Sequence, residues 1–195
     1  MLLATRAAGA LIAPLHRPAV LVATLSLVLA ACTAPAADPA AAPRGPITDE
    51  AVDRPLPAVE GALLGGGTFS PDALGDARLV VVNFWASWCG PCRREQPDLA
   101  SVAERYRSRG VVMLGVNLRD AGEDALAFAR EFGVSYPSVV DSSGALAGRF
   151  GVVGVPTTFI VRGDRIVHRF EGAVSAERLG QVLEAKLALS PTGRP

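Results

Sequence analysis

Cys89 and Cys92 are separated by two residues, Gly90 and Pro91, a spacing that lets two thiols close a small disulfide loop. Gly90 and Pro91 supply a turn that can run directly into a helix. The apolar run Leu79-Val80-Val81-Val82-Asn83-Phe84-Trp85 before the pair reads as a buried strand, and the segment from Arg93 onward reads as a helix. A helix N-terminus offers free N–H groups and a partial positive charge, and both stabilise a thiolate. The thiolate is the species that attacks a disulfide. The pattern therefore predicts dithiol–disulfide exchange, with Cys89 at the helix tip as the more accessible, attacking thiol. Cys92, one turn further in, would resolve the mixed disulfide.

The competing chemistry for this spacing is half of a structural zinc site, which needs two more ligands. The chain has three cysteines and two histidines. The third cysteine, Cys32, lies far upstream, and His16 lies in an N-terminal leader. A four-ligand Cys/His site cannot be assembled from the rest, although carboxylate ligands stay open. No metal and no organic cofactor are expected.

The chain of 195 residues is long enough for one domain with accessories, and its formal net charge is zero. No basic excess points to a nucleic-acid partner. Arg6, His16 and Arg17 form a weakly basic lead, and Ala19–Ala31 is almost wholly apolar but too short for a comfortable span of about 20 residues. It ends in Leu29-Ala30-Ala31-Cys32, which resembles the bacterial lipobox, with Cys32 as the lipidated mature N-terminus. The alternative is an ordinary cleavage site that happens to precede a cysteine. We read 1–31 as a lipoprotein signal peptide. The Ala/Pro-rich stretch 32–55 reads as a semi-extended tether, because its prolines oppose helix and its composition builds no core. The folded domain is expected at 56–190.

Within that domain, Gly65-Gly66-Gly67 suits a hairpin turn, and no Gly-Lys-Ser/Thr follows to make it a phosphate loop. Ser70-Pro71-Asp72 reads as the start of a short helix. After the cysteines, Leu99, Val102, Ala103 and Tyr106 share one helix face, Pro97 is expected to kink that helix and Gly110 to end it. Strands are expected at Val111–Val116 and Ser138–Val140. A helix is expected over Glu123–Phe132, with Leu126, Ala129 and Phe132 as its stripe, and a short helix over Ala145–Phe150. Thr157–Val161 and Arg165–Phe170 read as a hairpin about Gly163-Asp164. Ser175 caps a last helix with Leu179, Val182, Leu183 and Leu187 inward. The order βαβαβαββα predicts an α/β fold with a mixed sheet flanked by helices.

From Leu56 to Leu189 the chain resembles the thioredoxin superfamily, and within it the extracytoplasmic TlpA/ResA-type thiol–disulfide oxidoreductases. Val82-Asn83-Phe84-Trp85-Ala86-Ser87-Trp88-Cys89-Gly90-Pro91-Cys92 and Gly154-Val155-Pro156-Thr157-Thr158-Phe159 carry the resemblance. The strand–helix block between Val111 and Asp141 resembles the insertion of that branch. The resemblance implies a thioredoxin fold with an N-terminal extension and this inserted strand–helix unit. It also implies a cis-proline loop at Val155-Pro156 facing the redox pair, with Trp88 shaping the substrate surface. Where thioredoxin carries a buried aspartate this chain has Asn83, which cannot accept a proton. Glu95, three residues beyond Cys92, sits where the branch often uses a glutamate; the other reading is an acid on an exposed helix face.

The resemblance further implies protein disulfides as substrates, that of apocytochrome c among them, a membrane electron donor, a monomeric protein and a place outside the cytoplasm, where the lipobox-like Cys32 would anchor it to the cell membrane. Two alternatives differ in class. A copper-binding chaperone would use His168 with Cys89 and Cys92, and a thiol peroxidase would want a threonine where the chain has Ala86. Arg93 and Arg94 either add positive potential near Cys89 or form a solvated face.

Overall fold

A computed structural model describes residues 48–189. Cys32, His16 and the expected signal peptide lie outside the described residues. Six strands form one sheet in the order β1-β8-β7-β4-β5-β6: β1 Thr48–Pro55, β4 Leu79–Trp85, β5 Val111–Leu118, β6 Ser138–Asp141, β7 Thr157–Arg162 and β8 Arg165–Glu171. β4, β5 and β6 run parallel, while β7, β8 and β1 add antiparallel partners. The helices are α1 Gly90–Tyr106, α2 Gly122–Glu131, α3 Ala145–Phe150 and α4 Ala176–Ala188. A small hairpin of β2 Gly61–Ala62 and β3 Thr68–Phe69 turns on Gly65, Gly66 and Gly67, all at positive φ. From β4 onward this is the expected βαβαβαββα order.

β4 is buried at every position, as its unbroken apolar run requires of a central strand covered on both faces. Its alternate side chains enter different cores. Leu79 and Val81 pack with Leu99, Val102 and Tyr106 of α1 and with Leu179, Val182 and Leu183 of α4. Val80, Val82 and Phe84 pack on the other face with Phe150 and Phe159. Asn83 falls on the α1 side by this alternation. α1 continues past Pro97 to Tyr106, then tightens into a 3₁₀ turn that stops at Gly110.

Two expectations are corrected. The segment 32–55 is not all tether, because Thr48–Pro55 is the edge strand β1, antiparallel to β8. It carries little apolar pattern. Backbone pairing and side-chain pairs hold it: Asp49 with Arg178 and His168, and Asp53 with Arg165. Val52 and Leu56 add contacts to the core. The buried face of α2 is Ala125 and Phe128 rather than the stripe of Leu126, Ala129 and Phe132, which are only half-buried. Phe128 is drawn inward by stacking on Trp85, with ring centroids 4.6 Å apart. Ser70 precedes a 3₁₀ turn, Pro71–Leu74, without a side-chain cap bond.

Candidate active site

The turn out of β4 places Cys89 as the N-cap of α1, with Pro91 in the first turn. Cys89 and Cys92 form a disulfide, and the Cys92 backbone N–H lies 3.1 Å from Cys89 Sγ. An unpaired helix N–H thus already points at the sulfur where a thiolate would form. The expectation of an accessible Cys89 needs correcting for the oxidised state: Cys89 is 3% exposed and Cys92 1%. Both pack with Trp85, Ala86, Ala125 and Phe128. In the disulfide both cysteines belong to this buried cluster.

The loop before the cysteines is clamped from β5. Asp120 accepts from the Ser87 backbone N–H at 2.6 Å, from the Ser87 hydroxyl at 2.6 Å and from Asn117 Nδ2 at 2.8 Å. The Trp88 indole N–H donates to the Arg119 carbonyl at 3.2 Å. Arg119 is the one non-glycine residue at positive φ among the described residues. These contacts set the path of the chain into Cys89. Asp120 and Asn117 are not legible as partners in the sequence, since nothing in their local spacing marks them.

Trp88 is 62% exposed and Val153 90%, two large apolar side chains in solvent. Val155 packs against the cluster that holds both cysteines, and the Val155–Pro156 peptide bond is cis. The Pro156 carbonyl accepts from Gly172 N–H, and the Thr157 hydroxyl donates to the Gly154 carbonyl, so this loop is braced on both sides. The structure therefore brings Cys89, Cys92, Trp88, Val155 and Pro156 to one end of the sheet. Val153, two residues before Val155 in a glycine-flanked loop, is exposed.

Glu95 is fully buried, which removes the exposed-face reading. Its Oε1 accepts from Asn83 Nδ2 at 3.0 Å and its Oε2 from the Val174 backbone N–H at 3.0 Å. Asn83 Nδ2 also donates to Thr158 Oγ1, and Asn83 Oδ1 has no partner among the described residues. Glu95 lies four residues before Leu99 and three after Cys92, so it shares their inward face of α1. Beside it, Gln96 bonds the buried Tyr136 hydroxyl at 2.7 Å. Burial, with the Glu95 charge adding to it, pushes the Tyr136 phenol well above its ordinary value.

His168 is not brought to the cysteines. It sits three residues back along β8 from Glu171, and its Nε2 is 2.7 Å from Asp49 Oδ1. Arg93 pairs with Glu131, and Arg94 is exposed beside the first turn of α1. Among the described residues no cluster of His, Cys, Asp and Glu could hold a metal ion.

The AhpC/TSA family model matches residues 49–170. The thiol:disulfide interchange protein HelX of Rhodobacter capsulatus is 36% identical over 68% of this chain and 74% of its own length. The thiol-disulfide oxidoreductase ResA of Geobacillus thermodenitrificans is 33% identical over 54% of this chain and 62% of its own length. Among solved structures, a secreted thiol-disulfide isomerase from Corynebacterium glutamicum superposes with a TM-score of 0.67 at 26% identity. That superposition covers 76% of this chain and 96% of the other.

Proposed function

This chain belongs to the AhpC/TSA family and is a thioredoxin-fold thiol–disulfide oxidoreductase, and we propose that it works as a lipid-anchored reductase of protein disulfides outside the cytoplasm. The ResA-type kinship and the thioredoxin fold expected from the sequence are borne out. The reading of the site rests above all on the Cys89–Cys92 disulfide at the tip of α1, packed against Val155 beside the cis proline.

In the reductive direction the Cys89 thiolate attacks one sulfur of a substrate disulfide. A Cys89–substrate bond forms, and the other substrate sulfur leaves as thiolate. Cys92 then attacks Cys89 Sγ, forming the Cys89–Cys92 disulfide and releasing the second substrate thiol. Two electrons pass to the substrate, which takes up two protons. Glu95 serves as the proton-handling group near Cys92, a role that Asn83 cannot fill. Trp88, Val153, Val155 and Pro156 form the surface on which an extended peptide lies.

The direction follows from what stands between the cysteines. Gly90 and Pro91 offer no cation to the thiolate, so the reduced form gains little extra stabilisation and the couple is reducing. The disulfide of apocytochrome c, reduced to its two thiols, is the substrate class we assign. The protein works as a monomer, anchored through lipidated Cys32 and recharged by a membrane electron donor. The place of Thr48 supports that donor. Thr48, Glu171, Thr157 and Phe84 lie in one row across the sheet, at the end that carries the redox pair. Three strand spacings of about 4.8 Å put the start of β1 roughly 14 Å from β4. The described fold therefore begins at the same end of the sheet as Cys89.

Equilibration of the purified protein with reduced and oxidised glutathione tests the direction. A potential near about −270 mV is expected; one near about −120 mV would make it a disulfide donor.

A further inference from the structure

Arg93 stands one turn after Cys89 in α1, and its backbone N–H donates to the Cys89 carbonyl at 3.2 Å. Side chains on a helix lean toward its N-terminus, so an arginine at this position has the direction and the reach to lay its guanidinium beside Cys89. It is held elsewhere. Nη2 lies 2.6 Å from Glu131 Oε1 and 2.7 Å from Oε2. The guanidinium carbon stands 4.9 Å from the Phe132 ring centroid and 5.7 Å from that of Phe128. Glu131 is the last residue of α2, and Phe132 follows it. One carboxylate and two rings from the block after β5 thus capture a cation from the redox helix.

We propose that Glu131 is a positioning residue for the thiol chemistry, holding the Arg93 guanidinium against α2 so that this cation is withheld from the Cys89 thiolate and its charge is cancelled. The inference rests on Cys89 being the attacking thiol. A cation beside that thiolate would favour the reduced form and make the couple more oxidising. The other charged groups around the tip of α1 do not do this work. Asp120 is bound to Ser87, the Arg119 guanidinium to the Ser143 carbonyl, and Glu95 lies buried beneath Cys92. Arg94 is exposed beside Gly90, a constant background in every variant below.

The pair is partly exposed, with side chains 41% and 53% accessible, so its loss costs the fold little and the electrostatic effect can be read alone. The full-length protein in detergent is compared as wild type, Glu131→Gln, Arg93→Gln and the double variant. Two readouts serve: the pH midpoint of Cys89 alkylation, and the equilibrium with glutathione. Glu131→Gln is expected to move the equilibrium about threefold toward the reduced form, or about 14 mV at 29.6 mV per tenfold. The alkylation midpoint falls by about half a pH unit with it. Arg93→Gln and the double variant stay near the wild type. Arg93→Lys, which keeps the charge but loses the planar guanidinium that lies over the Phe128 and Phe132 rings, moves in the direction of Glu131→Gln.

An unchanged Glu131→Gln equilibrium overturns the proposal. So does a shift that persists in the double variant, because Arg93 would then not be the cation responsible. If Glu131→Gln fails to fold, an Arg93→Lys protein with wild-type values overturns it instead. The absolute wild-type potential, which tests the reducing direction, enters none of these differences.

Discussion

The Glu95 carboxylate and the Asn83 amide share a 3.0 Å hydrogen bond with neither side chain reaching solvent. Burial disfavours a carboxylate, and the two N–H groups donated to Glu95 support it. Those opposing effects put a titratable group beneath Cys92 without ejecting it from the core. Glu95→Gln should keep the fold, because Asn83 can flip its amide and offer the otherwise unpartnered Oδ1 to the new amide. The expected result is a native thermal transition with one ionisation missing from the pH profile of reductase rate. At the optimum the rate should drop on the order of 10²-fold. A superimposable pH profile would leave Glu95 as a purely structural acid.

The division of labour between the thiols is testable after reduction. Both sulfurs are buried in the disulfide, and breaking it frees Cys89 Sγ at the helix tip while Cys92 stays one turn inside. Alkylation of the native reduced protein should therefore modify Cys89 first, read by peptide mass spectrometry. Cys92→Ser should accumulate mixed disulfides through Cys89. Preferential labelling of Cys92 reverses the assignment.

Anchoring is a separate matter from redox chemistry. Cys32 lies sixteen positions before Thr48, where the described fold begins. Cys32→Ser should abolish lipid attachment, seen as the loss of an acyl mass on the mature N-terminus. Reductase activity of the purified domain should be unchanged. Membrane attachment of the wild type without any lipid by mass spectrometry would refute the anchor.

What the sequence makes legible is what short-range pattern encodes. β4, α3, the β7–β8 hairpin and the stripe of α4 lie where periodicity and turn residues place them, since each is a local decision. Glu95 is half legible. It continues the stripe of Leu99, Val102 and Tyr106 back by one turn, which favours burial, but its charge fits an exposed helix face equally well. β1 is not legible. Its residues are mostly charged or polar, with the charges in the adjacent pairs Asp49-Glu50 and Asp53-Arg54, and its partners, His168 and Arg178, are more than a hundred residues away. Phe128 escapes for a related reason: Ala125, Phe128 and Phe132 form a second stripe at helical spacing, and only the stack on Trp85 shows which stripe faces the core. The Ser87–Asp120 and Arg93–Glu131 pairs join elements that only the sheet order brings together.

Gly115 offers a test of how tightly the site is built. A Cβ there would lie 2.2 Å from Ser138 Oγ and 2.8 Å from Trp85 Nε1, atoms that bond each other at 3.3 Å. Trp85 belongs to the cysteine cluster, and both side chains are buried, so room for the methyl has to come from a turn of the Ser138 hydroxyl or a shift of the indole. Gly115→Ala is expected to destabilise the protein by about 1–3 kcal/mol through overpacking. A urea midpoint within error of the wild type would show that Trp85 and Ser138 relax freely.

The last prediction concerns acid. Burial holds the His168 imidazole below its ordinary value, against the opposing pull of Asp49. It is therefore neutral at pH 7, and its Nε2–H donates to Asp49 while Nδ1 has no partner among the described residues. Arg178 holds Asp49 below its ordinary value in turn. Both depressions act in the same direction. As pH falls through about 6.5 the unfolded chain takes up the His168 proton before the folded one does, so stability declines. Below about pH 4 the unfolded chain protonates Asp49 first, and the contribution of the Asp49–Arg178 contact is lost as pH falls through the folded value. Thermal unfolding should thus show two acid-driven losses of stability. His168→Gln should remove the loss between pH 7 and 5 and keep the lower one, and Asp49→Asn should remove the lower one. Because these groups tie β1 to β8 and α4, amide exchange in Thr48–Pro55 should rise before that of β4 as acid is added. A wild type whose melting temperature is flat from pH 7 to 5 would contradict the assignment of His168.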